Sequence, residues 1–339
     1  MRPPLMQRGQ RLSKHASGGT EAGGVRVHSF EGPRIDRRPE RWRRRLIRMS
    51  RWMHGVGGAA AVGLLLAAAS SLAAEEEGIP WGRGFEKALH HARETGKPML
   101  IDFWAEWCGW CHRLDQTTYR DPAAVRLSEK FVSIKVDTEG SREDVEVAIR
   151  YNVSSLPTIA FLSPSGRPLM RIVGYQGPGQ FPKTMRQALE VAEKVMKWEG
   201  QIVQDPRHAH ALAELGSHLF HQEFYDESRE LLERALEYDA RRESGERKRS
   251  RLLLGVIYSS ERSYDQARDV LRAGLKLRPR GTYEPRLLYV LARTELHAGR
   301  PCKAMGPLLE IEAEYPESEM LHRAQQMLSY VERKHDCRK

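Results

Sequence analysis

The residues best suited to chemistry are Cys108 and Cys111, which frame the tetrapeptide Cys108-Gly109-Trp110-Cys111. On a helix, two intervening residues set a pair of side chains about one turn apart. That is near enough for their thiols to close into a disulfide. A cysteine at a helix N-terminus feels the partial positive charge of unpaired backbone N–H groups. Its thiolate is then favoured below the free-cysteine pKa of about 8.5, which makes Cys108 the nucleophile. Cys111 releases the mixed disulfide that such an attack leaves behind. With His112 following, the same residues also read C-x-x-C-H, the attachment signature of a c-type haem. A zinc site needs two further ligands beside the pair, and no second pair stands out, so no metal is expected.

Helix and strand patterns surround this motif. The run 98–104 is apolar and too short for a helix, and reads as a buried strand. Further strands are expected over 131–136, 158–162 and 169–173, the last two joined by the turn Ser163-Pro164-Ser165-Gly166. Helical spacing is expected over 85–95, over 108–130 with a break at Asp121-Pro122, over 144–151, and over 181–198. Alternation of this kind implies an α/β layer fold with a helix-covered sheet.

The segment Ile101-Asp102-Phe103-Trp104-Ala105-Glu106-Trp107-Cys108-Gly109-Trp110-Cys111 resembles the active-site strand and loop of thioredoxins, with Trp110 where thioredoxins carry proline. The CGWC sequence and the following Tyr119-Arg120-Asp121-Pro122 are more similar to the exported branch, including the C-terminal domain of DsbD-type reductases. Ser154-Ser155-Leu156-Pro157-Thr158 supplies a second marker. The resemblance implies that Pro157 is a cis proline packed against the cysteines, and that the Leu156 backbone pairs with an extended substrate. It further implies that Asp102 assists proton transfer at Cys111, and that Gly174 lets substrate approach. Trp107, Gly109 and Trp110 are candidate substrate contacts, and Trp104 either faces substrate or packs in the core. The lysine that thioredoxins carry near the buried acid would fall at Ser133, with Lys135 two residues on and on the same face. The preceding strand and Pro157 weigh against haem, and no cofactor is expected.

Beyond 207 the chain turns helical. Gly216 and Ser228, Gly255 and Ala267, and Ala292 and Ala304 are each 12 residues apart, recurring at 39 and 37 residues. The pattern resembles three tetratricopeptide repeats over 207–335, with the extra residues at 241–249 and 281–284 placed in loops between repeats. A plain helical bundle is the alternative. Such solenoids bind peptides or proteins on a concave face. Cys302 and Cys337 flank the last repeat and, in an exported protein, would form a structural disulfide; two unpaired thiols are the alternative.

Of the net charge of +10, all resides in residues 1–51, which carry 14 basic and 4 acidic side chains, whereas 52–339 balances 41 against 41. Nucleic acid is therefore excluded as a partner. Residues 55–74 are apolar and small, follow Arg48 and Arg51, and precede three glutamates. This is the pattern of an export signal. The expected organisation is a basic extension at 1–48 outside the native start, a signal peptide (or membrane anchor) at 49–74, a thioredoxin-like domain at 80–198, and the repeats. The expected protein is periplasmic or otherwise extracytoplasmic. It would exchange disulfides with protein thiols, draw on an upstream electron donor or acceptor protein, and hold a protein partner on its repeats. A non-enzymatic adaptor is the alternative function.

Overall fold

A computed structural model describes residues 78–239 and 244–337; the basic extension and the export segment lie outside them. β1 (Met99–Trp104) reads Met-Leu-Ile-Asp-Phe-Trp and is almost wholly buried. A strand buried on both faces needs this near-continuous apolar content. β1 pairs in parallel with β2 (Val132–Asp137) and antiparallel with β3 (Thr158–Leu162), which pairs antiparallel with β4 (Pro168–Val173). Among the described residues these strands form one sheet of order β2-β1-β3-β4.

Side chains alternate across a strand, and the two cores follow that parity. Met99, Ile101 and Phe103 pack with Ile134, Val136, Ala160 and Leu162 beneath α1 (Phe85–Thr95) and α4 (Arg142–Arg150). Leu100, Ile159 and Phe161 pack on the opposite face, with Leu114 of α2 (Gly109–Gln116), Ala124 of α3 (Pro122–Ser128) and Phe181 of α5 (Phe181–Gln204). Asp102 has the parity of Leu100, so β1 delivers a carboxylate to the face that carries the cysteine helix.

Several boundaries differ from the sequence expectation. The helix after Cys108 stops at Gln116, passes through a 3-10 turn at Thr118–Arg120, and restarts at Pro122 under the Asp121 cap. The Asp121 carboxylate accepts from the Ala123 and Ala124 amides, which satisfies two N–H groups that have no helical partner. α4 begins at Arg142 rather than 144 because the Ser141 hydroxyl accepts from the Asp144 amide. α5 runs to Gln204, not 198; its last turns bring Trp198 and Ile202 against the apolar cluster that includes Leu212, Ala213 and Leu231. One apolar cluster therefore continues from the sheet into the C-terminal helices.

Those helices pair as α6 (Ala209–His221) with α7 (Tyr225–Tyr238), α8 (Ser244–Ser260) with α9 (Tyr264–Leu275), and α10 (Glu284–His297) with α11 (Pro301–Glu314), followed by α12 (Leu321–Lys334). The residues spaced 12 apart sit where partner helices cross. The Ser228 hydroxyl donates to the Gly216 carbonyl at 2.7 Å, and Ala267 and Ala304 are fully buried. Residues 244–249, expected in a loop, instead extend α8 by a turn and a half. Side-chain contacts hold that extension on both sides: Glu246 to His210 (2.6 Å), Arg249 to Glu214, and Lys248 to Glu284.

The first pair packs on the β4 side of the sheet. Arg167 bonds Glu199 and Glu227 at 3.0 and 2.7 Å, Arg171 pairs with Glu223, and His218 Nε2 approaches the Pro168 carbonyl at 2.9 Å. Phe224 reaches Tyr151 with ring centres 6.1 Å apart. Among the described residues no helix is long and apolar enough to cross a membrane.

Candidate active site

Cys108 is the N-cap of α2, and its sulfur accepts from the Cys111 amide at 3.2 Å. The two cysteines are joined in a disulfide with Cα atoms 5.2 Å apart. Cys111 is wholly enclosed, whereas Cys108 keeps 3% exposure at the rim. That asymmetry leaves Cys108 as the sulfur a partner can reach, at the helix end that stabilises its thiolate.

Behind the pair lies an arrangement of charge that spacing along the chain did not reveal. Asp102 is fully buried. Register places Lys135 directly across from it, while Ser133 pairs with Leu100. The Lys135 ammonium is 3.0 Å from Asp102 Oδ2 and 2.5 Å from Asp115 Oδ1. Trp81, Trp104 and Tyr119 surround the ammonium with ring centres at 5.6, 5.5 and 5.5 Å, favourable for a cation over aromatic faces. Trp104 thus packs inside, against Lys135 and the His112 ring, rather than facing outward. Burial pushes the Asp102 carboxyl above its ordinary 3.8 against the opposing pull of Lys135. Burial, reinforced by Asp102, raises the Tyr119 hydroxyl well above the usual phenol range. Asp115, by contrast, is partly exposed, so the chain Asp102–Lys135–Asp115 runs from the interior to solvent.

The rim is aromatic. Trp107 is 66% exposed and its indole N–H donates to Glu139 at 2.8 Å. Trp110 is 58% exposed and leans on Tyr175 with ring centres 5.4 Å apart. The Tyr175 hydroxyl lies 3.2 Å from Thr117 Oγ1, and hydrogen bonding to Thr117 and Thr118 lowers its pKa. Gly109 is exposed between the cysteines, and a Cβ there would meet nothing within 4 Å.

The Leu156–Pro157 peptide is cis. Because Phe103 pairs with Thr158, Pro157 falls level with the end of β1, from which the chain leads to Cys108. The Gly174 amide donates to the Pro157 carbonyl at 2.8 Å. Gly174 has φ 88°, a conformation that favours glycine, and the space beside its Cα is open. Among the described residues, neither backbone group of Leu156 is hydrogen-bonded. His112 Nε2 contacts the Glu106 carbonyl at 2.7 Å.

Trp107, Gly109 and Trp110 flank or separate the cysteines in sequence, Asp102 is linked to the cysteine helix through Lys135 and Asp115, and Gly174 is bonded to Pro157 beside the Tyr175 ring that Trp110 meets. Sequence reasoning passed over Asp115, Glu139, Tyr175 and Trp81. Asp115 sits one helical turn beyond Cys111, a periodicity signal that could have found it; the others join only through tertiary packing. Cys302 and Cys337 are joined in a disulfide in the repeats, 35 residues apart in sequence.

Fold and site define a thioredoxin-like domain followed by helical repeats, and comparison with known proteins agrees. Residues 85–189 match the thioredoxin-like domain family, and residues 207–280 match the tetratricopeptide repeat family. The chain accordingly carries a thioredoxin-like domain and, after it, tetratricopeptide repeats. It is 31% identical over 99 residues to the thiol:disulfide interchange protein DsbD of Vibrio vulnificus, an overlap of 28% of this chain and 17% of that one. It is 33% identical over 100 residues to the chloroplastic thioredoxin Y of Oryza sativa subsp. japonica, covering 30% of this chain and 56% of the relative. A putative disulphide-isomerase from Bacteroides thetaiotaomicron is 30% identical, covering 34% of this chain and 95% of that structure at a TM-score of 0.31. The chain thus spans only a small part of the DsbD relatives' own length. A thioredoxin-like disulfide oxidoreductase fold bearing a CxxC pair supports a redox role in general terms.

Proposed function

We propose that this protein is an exported thiol–disulfide oxidoreductase that exchanges disulfides with protein substrates through Cys108 and Cys111 while its repeats hold a partner protein. The observation that carries this reading is the Cys108–Cys111 disulfide at the start of α2, with one sulfur at the rim and the other enclosed. In the reducing direction, the Cys108 thiolate attacks a substrate disulfide, forming a mixed disulfide and expelling one substrate thiolate. Cys111 then attacks Cys108, releasing the second thiolate and restoring the internal disulfide. Two electrons pass to the substrate, and an upstream dithiol protein must return them. An extended substrate strand would lie along the unpaired Leu156 backbone, between Trp107 and Trp110, with Gly174 at its side. Asp102 is suited to move the proton at Cys111, and no cofactor takes part.

Export rests on the segment 49–74 and on the likeness to thiol:disulfide interchange proteins. N-terminal sequencing of secreted or periplasmic material tests it, and a mature chain beginning before Gly55 would refute cleavage. Turnover is tested with insulin as the disulfide substrate. Cys108→Ser is expected to abolish reduction, and Cys111→Ser to accumulate mixed disulfides separable on non-reducing gels. Absence of both effects would favour a non-enzymatic adaptor.

A further inference from the structure

The disulfide in the repeats lies in the open. Cys302 is exposed and Cys337 half-buried, whereas Cys108 and Cys111 are both buried. Cysteine is among the most buried residue types, and exposed disulfides are the ones that exchange with thiols. Cys337 also shares the wall of a cavity of about 370 Å³ with Met305, Glu332, Arg333, Lys334 and Asp336. That volume admits a small ligand, and the lining carries charge of both signs.

The two sulfurs are not equivalent. Cys302 is the second residue of α11, after Pro301 and before Lys303. A thiolate there is stabilised by the unpaired N–H groups of the helix and by the neighbouring cation. When the bond opens, Cys302 stays at that helix end, whereas Cys337 is carried on the chain past α12. In thiol–disulfide exchange the thiol of lower pKa leaves faster. Attack is therefore favoured on Cys337, with Cys302 leaving, and the cavity lies on the Cys337 side. Ala324, Leu328 and Val331 of α12 are buried, so the helix keeps its apolar anchor when the bond opens.

We infer that Cys302–Cys337 is a second exchange site, which takes a small zwitterionic thiol of the glutathione type in the cavity beside Cys337. The carboxylates of such a thiol would meet Arg333 and Lys334, and its ammonium Glu332. Its thiolate attacks the Cys337 sulfur and forms a new S–S bond there. The Cys302–Cys337 bond breaks, and Cys302 takes the electron pair and leaves as the thiolate. One disulfide is exchanged for another, so no further oxidant or reductant is required. Return attack by Cys302 expels the small thiol and restores the starting bond.

The test incubates the folded full chain, carrying Cys108→Ser and Cys111→Ser, with reduced glutathione. The reaction is quenched with iodoacetamide, and each cysteine is mapped by peptide mass. A glutathione adduct on Cys337 and an alkylated Cys302 are expected in native buffer. Relative to their rates with a model disulfide, glutathione should open the bond about tenfold faster than uncharged 2-mercaptoethanol. Lys334→Glu should erase most of that difference. Lys334 is exposed, so its reversal leaves folding intact. If the double serine variant does not fold, the same peptides mapped in the parent chain give the answer. An adduct on Cys302 instead of Cys337, or no adduct until denaturant is added, would overturn the exchange site. Equal relative rates for the two thiols would overturn the zwitterionic ligand. Because Cys108 and Cys111 are absent from the assay, its outcome is separate from that of insulin reduction by the parent chain.

Discussion

Lys135 faces Asp102 across the parallel pairing of β1 and β2, with its ammonium 3.0 Å from a carboxylate that has no exposure to solvent. The same ammonium holds Asp115 at 2.5 Å on the solvent side. One cation thus serves two acids of opposite exposure, directly behind the cysteine helix.

The buried acid should make stability fall with pH. Unfolded Asp102 loses its proton near 3.8, whereas burial raises the folded value. Above 3.8 the folded state therefore binds more protons than the unfolded state, and stability declines as pH rises through the folded value. Asp102→Asn should remove this decline, with little change at pH 3 and a difference in its favour that grows as pH rises. Thermal melts from pH 3 to 8 check this; parallel curves for the two proteins would show that Asp102 carries no linkage. The same substitution should slow release of the mixed disulfide on the order of 100-fold if the carboxyl moves the Cys111 proton.

Lys135→Met removes the countercharge and leaves Asp102 enclosed alone. A loss of about 3 kcal/mol is expected at pH 7. Most of it should return when Asp102→Asn is added, because the stranded charge is then gone. Urea unfolding of the four proteins gives the coupling, and strict additivity would contradict a direct ion pair.

The direction of electron flow is decided by the reduction potential of the Cys108–Cys111 pair. A potential of about −270 mV marks a reductant, and one of about −120 mV an oxidant. Equilibration of the purified protein with glutathione measures it, and an absorption scan of the same sample is expected to show no haem Soret band.

Gly255 sits where α8 crosses α9, and a Cβ there would lie 2.4 Å from Leu271 Cδ2 and 2.6 Å from its Cγ. Leu271 is fully buried. Gly255→Ala should cost roughly 1–3 kcal/mol in the repeats by overpacking. Calorimetry should show the lower transition while insulin reduction persists at lower temperature.

The Cys302–Cys337 disulfide closes a loop from the start of α11 to the end of the described chain, 35 residues on. In the chain-entropy account such a closure contributes at most about 4 kcal/mol. The double Cys→Ser variant should unfold at lower denaturant, with hydrogen exchange in α12 rising first. Unchanged protection of α12 would show that the link does not staple that helix.

Much of this protein is determined by short-range pattern, and that part is legible in the sequence. The Cys-Gly-Trp-Cys spacing, the apolar run of β1, the proline at 157 and the 12-residue offsets of Gly216, Gly255 and Ala292 all express local geometry: one helical turn, one buried strand, one helix crossing. Element ends were less legible, because caps such as Ser141 and the packing of Ile202 against the apolar cluster shared with the C-terminal helices settle them. What only the tertiary structure decided are relationships between distant segments. Strand register, not chain spacing, chose Lys135 over Ser133 as the partner of Asp102. Trp81, Trp104 and Tyr119 meet around one ammonium only after three elements pack. The cleft lined by Phe220 of α6, Val256 of α8, Tyr289 of α10 and Arg323 of α12 exists only once four helices stand side by side, since periodicity states which face of a helix a residue occupies but not which other faces will meet it.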